Sequence, residues 1–146
     1  MKSVLTWNEG MRFSAQSSTN TVQMDAKSPI GKEQGQTPKE LVLAGLGGCT
    51  AMDIMALMKK HKQGVEAFSI TVEVEPSTDK HPHVFKKAEI TFDLKGQIDP
   101  SVAMESVRLS QTKFCGVSAM LSKAFPIHYT VNVNGENIGS GQAKFE

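Results

Sequence analysis

One segment constrains this chain more than any other: TPKELVLAGLGGCTAMDIMALMKKHK, Thr37 to Lys62. Thr37 can cap a helix, Pro38 suits the first helical position, and Glu40 three residues after the cap completes a capping box. The helix is expected to run to about Gln63, with Gly64 as its stop and Lys59, Lys60, His61 and Lys62 complementing the C-terminal dipole. Leu41, Gly45, Gly48, Met52 and Met55 recur at helical spacing, while Leu43, Leu46, Ile54, Leu57 and Met58 occupy other sides. A helix apolar nearly all round needs several neighbours, which predicts a central helix wrapped by sheet, with help from a second subunit. Asp53, Thr50 and the glycines interrupt the apolar run, so it reads as a buried helix and not as a membrane span.

The chain has 146 residues, 39% of them hydrophobic and 21% charged, which suits a single domain, residues 1–146, with one substantial core. A formal net charge of +1 leaves no electrostatic footprint for nucleic acid or an anionic membrane. The opening residues MKSVLTWNEGMRF carry charges and Trp7 where the apolar core of a secretion signal would lie, so a cytoplasmic location is expected. In that compartment a disulfide is more often catalytic or redox-sensing than structural. Two cysteines cannot build a structural zinc site unaided, and His61, His81, His83 and His128 show no ligand pattern. No metal or other cofactor is expected. His81 and His83 read as exposed turn residues, and Met52, Met55, Met58 and Met120 as core or the lining of an apolar pocket.

Around the helix the pattern is mostly β. Val4–Trp7, Arg12–Ser17 and Thr21–Asp25 read as a meander, followed by the polar loop KSPIGKEQGQ. AFSITVEVEP and VFKKAEITFDLKG flank the turn DKHPH and predict a hairpin of two long strands with one wet face. Asp99 and Pro100 open a second helix, CGVSAMLSKAF suggests a short third, and PIHYTVNVNGE a last strand. The Gly-rich tail beyond it is weakly specified. This order is an α+β layout without internal repeats or linkers.

Cys49 lies inside the first helix, one turn after Gly45 and directly after Gly47 and Gly48. Each glycine costs a helix about 1 kcal/mol against alanine. Three within four residues imply close approach of a neighbour, a distortion, or room for a substrate. A lone helix cysteine is usually a small buried hydrophobe. Cys115, in KFCGVSAML, sits at the start of a short helix, where the dipole and free N–H groups favour thiolate and Lys113 adds charge. Its neighbours Phe114 and Val117 are equally compatible with simple burial. A reactive thiolate needs a cation to hold it, and the chain has only Arg12 and Arg108. Glu40 could orient such an arginine, or merely close the capping box. Nine residues separate Glu40 from Cys49, about half a turn apart in direction. They can serve one thiol only if the helix starts after Glu40 or bends, or if Glu40 serves a partner subunit.

TPKELVLAGLGGCTAMDI, followed 66 residues after Cys49 by KFCGVSAML, resembles the OsmC/Ohr family of osmotically inducible and organic-hydroperoxide-resistance proteins, in its branch of small OsmC-like members. The likeness spans nearly the whole chain. It implies an intertwined homodimer whose antiparallel sheets wrap two central helices, with paired sites at the subunit interface. Carried onto this chain, it implies Cys49 as the thiol that attacks hydroperoxide, Cys115 as the resolving thiol, and Glu40 as the carboxylate positioning an arginine, for which Arg12 is the candidate. It also implies a dithiol reductant such as a lipoylated protein, and no bound metal or flavin.

The leading expectation is thiol-dependent reduction of organic hydroperoxides. A different class of function is a non-enzymatic dimer of the same fold that binds a small apolar ligand or senses oxidants. A third is a structural domain with inert cysteines.

Overall fold

The computed structural model describes residues 1–146. The chain divides within its long helix into two compact units, Met1–Leu43 and Ala44–Glu146.

The first unit is a three-stranded antiparallel meander. Strands β1 (Val4–Glu9), β2 (Arg12–Ser17) and β3 (Asn20–Met24) pair in sequence order. The loop that follows is organised by Asp25. Its carboxylate accepts backbone N–H groups from Ala26 at 2.8 Å and from Lys32 and Gln34 at 3.1 Å. Three donors on one buried carboxylate satisfy both its charge and the loop's backbone.

Helix α1 spans Pro38–Lys60. Its start is the expected capping box: Thr37 donates its backbone N–H to Glu40 Oε2 at 2.7 Å, and Glu40 returns its own to Thr37 Oγ1 at 3.3 Å. The end differs from expectation. Gly64 is not the stop, because it already belongs to the next strand. Lys62 adopts the left-handed conformation, φ 55°. The N–H of Gln63 then reaches Met58 O at 2.9 Å and that of Lys62 reaches Lys59 O at 3.0 Å, which is the Schellman arrangement.

In the second unit a four-stranded sheet has the order β4-β5-β6-β7, formed by Gly64–Pro76, Phe85–Gln97, Ile127–Val133 and Glu136–Gln142. β4 and β5 are the expected long hairpin. β5 and β6 run parallel, while the other pairs are antiparallel. A parallel pair needs a crossover, and the helical segments supply it: α2 (Pro100–Leu109), a π-helical turn (Ser110–Phe114) and α3 (Gly116–Leu121). β7 takes up the tail that the sequence left unspecified.

The core follows from the two-residue period of the strands. Ala88, Ile90, Phe92 and Leu94 of β5 and Ile127, Tyr129, Val131 and Val133 of β6 are buried on one face. Against them lie Leu46, Ile54 and Met58 of α1 with Ala103 and Val107 of α2. Leu46, Thr50, Ile54 and Met58 recur every four residues, so α1 buries one stripe in this chain. Cover on several sides is therefore not provided within the chain. Met52, on another side, is 76% exposed, and Gly45 and Gly48 face open space. Gly47 alone shows the close approach expected of these glycines: a Cβ there would stand 3.2 Å from Val72 Cγ2.

Candidate active site

The π-helical turn between α2 and α3 determines where Cys115 sits. Its N–H donates to Ser110 O at 3.0 Å, a bond spanning five residues. Cys115 is the N-cap of α3, and its sulfur accepts the Ser118 N–H at 3.3 Å. The side chain is fully buried. Cys49, on α1, is half-buried, and its sulfur lies near enough to the Cys115 thiol to influence its ionisation. Both cysteines are unbridged. The fold has brought together two thiols 66 residues apart in sequence.

Burial pushes the Cys115 thiol above its ordinary value of 9.0, Ser118 pulls it the other way, and the Cys49 sulfur raises it further. This corrects the expectation that the helix start would favour thiolate at Cys115: desolvation outweighs the N–H contact. Lys113 holds its ammonium 5.6 Å from the centre of the Phe114 ring.

Beside the thiols lies a chain of buried polar groups that sequence reasoning did not find. Ser110 donates its hydroxyl to Asp53 Oδ2 at 2.9 Å. That commits its only proton, so Thr50 donates to Ser110 Oγ across the 2.8 Å contact between them. Thr50 Oγ1 in turn accepts from Gln111 Nε2 at 2.8 Å. Thr50, Ser110 and Gln111 are fully buried and Asp53 is half-buried. The signal available in sequence was weak: Thr50 and Asp53 fall on one helix face, and Ser110 and Gln111 follow an amphipathic helix.

The other two expected site residues belong to the first unit. Glu40 pairs with Lys27 Nζ at 3.1 Å in addition to closing the capping box. The Thr37 N–H first, and Lys27 second, hold its carboxyl below the usual value of 4.5. Arg12 donates to Gln34 Oε1 at 2.7 Å and to Glu9 Oε1 at 3.4 Å. Arg12 and Glu40 thus have separate partners. Because α1 begins at Pro38, the possibility of a helix starting after Glu40 is closed. The same unit holds an open, mainly apolar cavity of about 540 Å³, lined by Met11, Phe13, Met24 and Pro38 among others. No group of three or more His, Cys, Asp or Glu side chains is placed to hold a metal ion.

A two-sheet α+β protein with a long apolar helix and a dithiol between that helix and a crossover segment is the class defined by these features. The chain belongs to the OsmC-like protein family, whose model matches residues 31–130. It is 28% identical to Protein YhfA of Escherichia coli strain K12 over 135 residues, covering 91% of this chain and 98% of that protein. The crystal structure of a hypothetical protein from Aquifex aeolicus VF5 has a TM-score of 0.80 at 23% identity, over 99% of this chain and 96% of the other. An organic hydroperoxide resistance protein OsmC from Legionella pneumophila shares the fold, with a TM-score of 0.64 at 16% identity over 91% and 96% of the two chains.

Proposed function

We propose that this protein is a thiol-dependent reductase of organic hydroperoxides. The observation that carries this reading is the proximity of the Cys49 and Cys115 thiols, of which Cys49 is the more accessible. The names of OsmC-fold relatives as organic hydroperoxide resistance proteins support it. The Cys49 thiolate attacks one peroxide oxygen; the O–O bond breaks, an S–O bond forms, and the alkoxide leaves as the alcohol after taking a proton. Cys115 then displaces hydroxide from the Cys49 sulfenic acid, giving the disulfide and water. A dithiol such as a lipoylated protein returns both thiols to the reduced state. A protonated, buried Cys115 suits the second step, because it keeps the thiolate role for the other sulfur until oxidation has occurred.

On the family's pattern Arg12 is the cation for the Cys49 thiolate and Glu40 a positioning carboxylate serving a partner subunit. Their roles are tested by Arg12→Ala and Glu40→Gln in the same assay. The exposed stripe of α1, with Met52 uncovered and open space at Gly45 and Gly48, supports a homodimer.

Cys49→Ser is expected to abolish reduction of cumene hydroperoxide with a dithiol reductant. Cys115→Ser is expected to react once per chain, leaving a sulfenic acid that dimedone captures. Undiminished turnover by Cys49→Ser would overturn the reading. A binding protein for a small apolar ligand is favoured by one observation, the apolar cavity of the first unit. In that case both thiols would survive exposure to equimolar hydroperoxide.

A further inference from the structure

We infer that Ser110, held by Thr50 and Asp53, is the positioning residue that keeps Cys115 in register with Cys49 for disulfide formation. This rests on the proposed dithiol chemistry, but its geometry stands independently. Three bonds and one electrostatic interaction close a ring around the two sulfurs. Cys49 is joined by a peptide bond to Thr50. Thr50 Oγ1 donates to Ser110 Oγ at 2.8 Å. The carbonyl of Ser110 accepts the Cys115 N–H at 3.0 Å. The Cys115 thiol in turn feels the nearby Cys49 sulfur, which raises its pKa.

Ser110 links the two segments through two different groups, its hydroxyl toward α1 and its carbonyl toward Cys115. Its hydroxyl is polarised by Asp53 and, through Thr50, by Gln111, so the link is directional at both ends. The π-helical turn gives the arrangement its purpose. An α-helical turn would send the carbonyl of Ser110 to the residue before Cys115, whereas the wider turn delivers it to Cys115 itself. Full burial of Thr50, Ser110 and Gln111 leaves no water to replace a missing partner.

The step served is the second one. The Cys49 S–O bond breaks, the Cys49–Cys115 S–S bond forms, and hydroxide leaves with the Cys115 proton as water. No further oxidant is needed. The rate depends on how often the two sulfurs are within bonding distance, and so on the effective concentration of one at the other.

The test equilibrates the full-length reduced protein with mixtures of reduced and oxidised glutathione and quantifies the intramolecular disulfide by mass spectrometry. This readout does not depend on peroxidase activity. Ser110→Ala is expected to lower the effective concentration of the pair roughly tenfold or more. After cumene hydroperoxide, the variant is also expected to accumulate a dimedone-trappable Cys49 sulfenic acid that the parent does not. Thr50→Val should repeat the loss, and Thr50→Ser, which keeps the hydroxyl, should restore pairing relative to it. If Ser110→Ala does not fold, Asp53→Ala removes the acceptor while leaving the serine, and the same loss is expected. A folded Ser110→Ala protein with the parental glutathione equilibrium overturns the inference. The expected loss by Ser110→Ala in the glutathione equilibrium, together with no reaction of the parent toward hydroperoxide, would instead overturn the peroxidase reading and leave the positioning role established.

Discussion

Two titrating side chains act on stability in opposite directions. The carboxyl of Asp25 is held below its ordinary value of 3.8, chiefly by the Gln34 N–H, with Ala26, Lys32 and Arg12 adding to it against the cost of burial. A lowered value means that Asp25 stabilises the folded chain above the unfolded value and stops doing so as pH falls through the folded one. Asp25→Asn is therefore expected to lower the urea midpoint at neutral pH and to flatten its fall between about pH 5 and pH 3. Cys115 has the reverse sign. Its raised value favours the folded state while the thiol is protonated, and that contribution is lost as pH rises from the ordinary value of 9.0 through the folded value. Cys115→Ala should flatten the alkaline fall in the same urea midpoint. A parent and variant with parallel alkaline slopes would contradict this.

At the scale of elements, α1 carries both a local and a tertiary lesson. Its capping box was legible because Thr37, Pro38 and Glu40 act on backbone groups within one turn of themselves. Thr37→Ala should cost about 1 kcal/mol in denaturant titration. The C-terminus was misread because the pattern supplied a glycine at 64, while the chain uses Lys62 in the left-handed region and spends Gly64 on β4, beside Gln97. The role of Gly47 needed the sheet, since only the approach of Val72 shows why a side chain is absent there. Gly47→Val is expected to cost about 1–3 kcal/mol through overpacking. β7 was missed although a signal existed: Asn134 and Gly135, at φ 50° and 83°, form a hairpin turn of the type that favours Asn-Gly. Gly139 and Gly141 disguised the strand. A Cβ on Gly139 would strike the Met104 side chain, and one on Gly141 the Tyr129 ring.

For the whole molecule, the exposed apolar stripe of α1 bears on assembly. A 23-residue helix with Met52 and Val42 open to water and two glycines facing empty space fits packing against a second copy. Sedimentation is expected to give twice the 15.9 kDa chain mass, and Met52→Lys should shift the population toward single chains. A parent that sediments as a single chain at micromolar concentration would remove the homodimer from the proposed mechanism.

The sequence by itself determined the long capped helix, the paired β4–β5 hairpin, the α+β order and the likeness to the OsmC family. Those features rest on short-range periodicity, caps and motifs, which are written in neighbouring residues. Tertiary structure alone decided that Cys49 and Cys115 lie near one another, since spacing along a chain carries no distance between segments 66 residues apart. It alone showed the Gln111–Thr50–Ser110–Asp53 chain, because buried polar groups find partners only once the elements carrying them are packed. It also reversed the ionisation expected of Cys115: the helix start was visible in the sequence, but the desolvation that outweighs it exists only in the folded core.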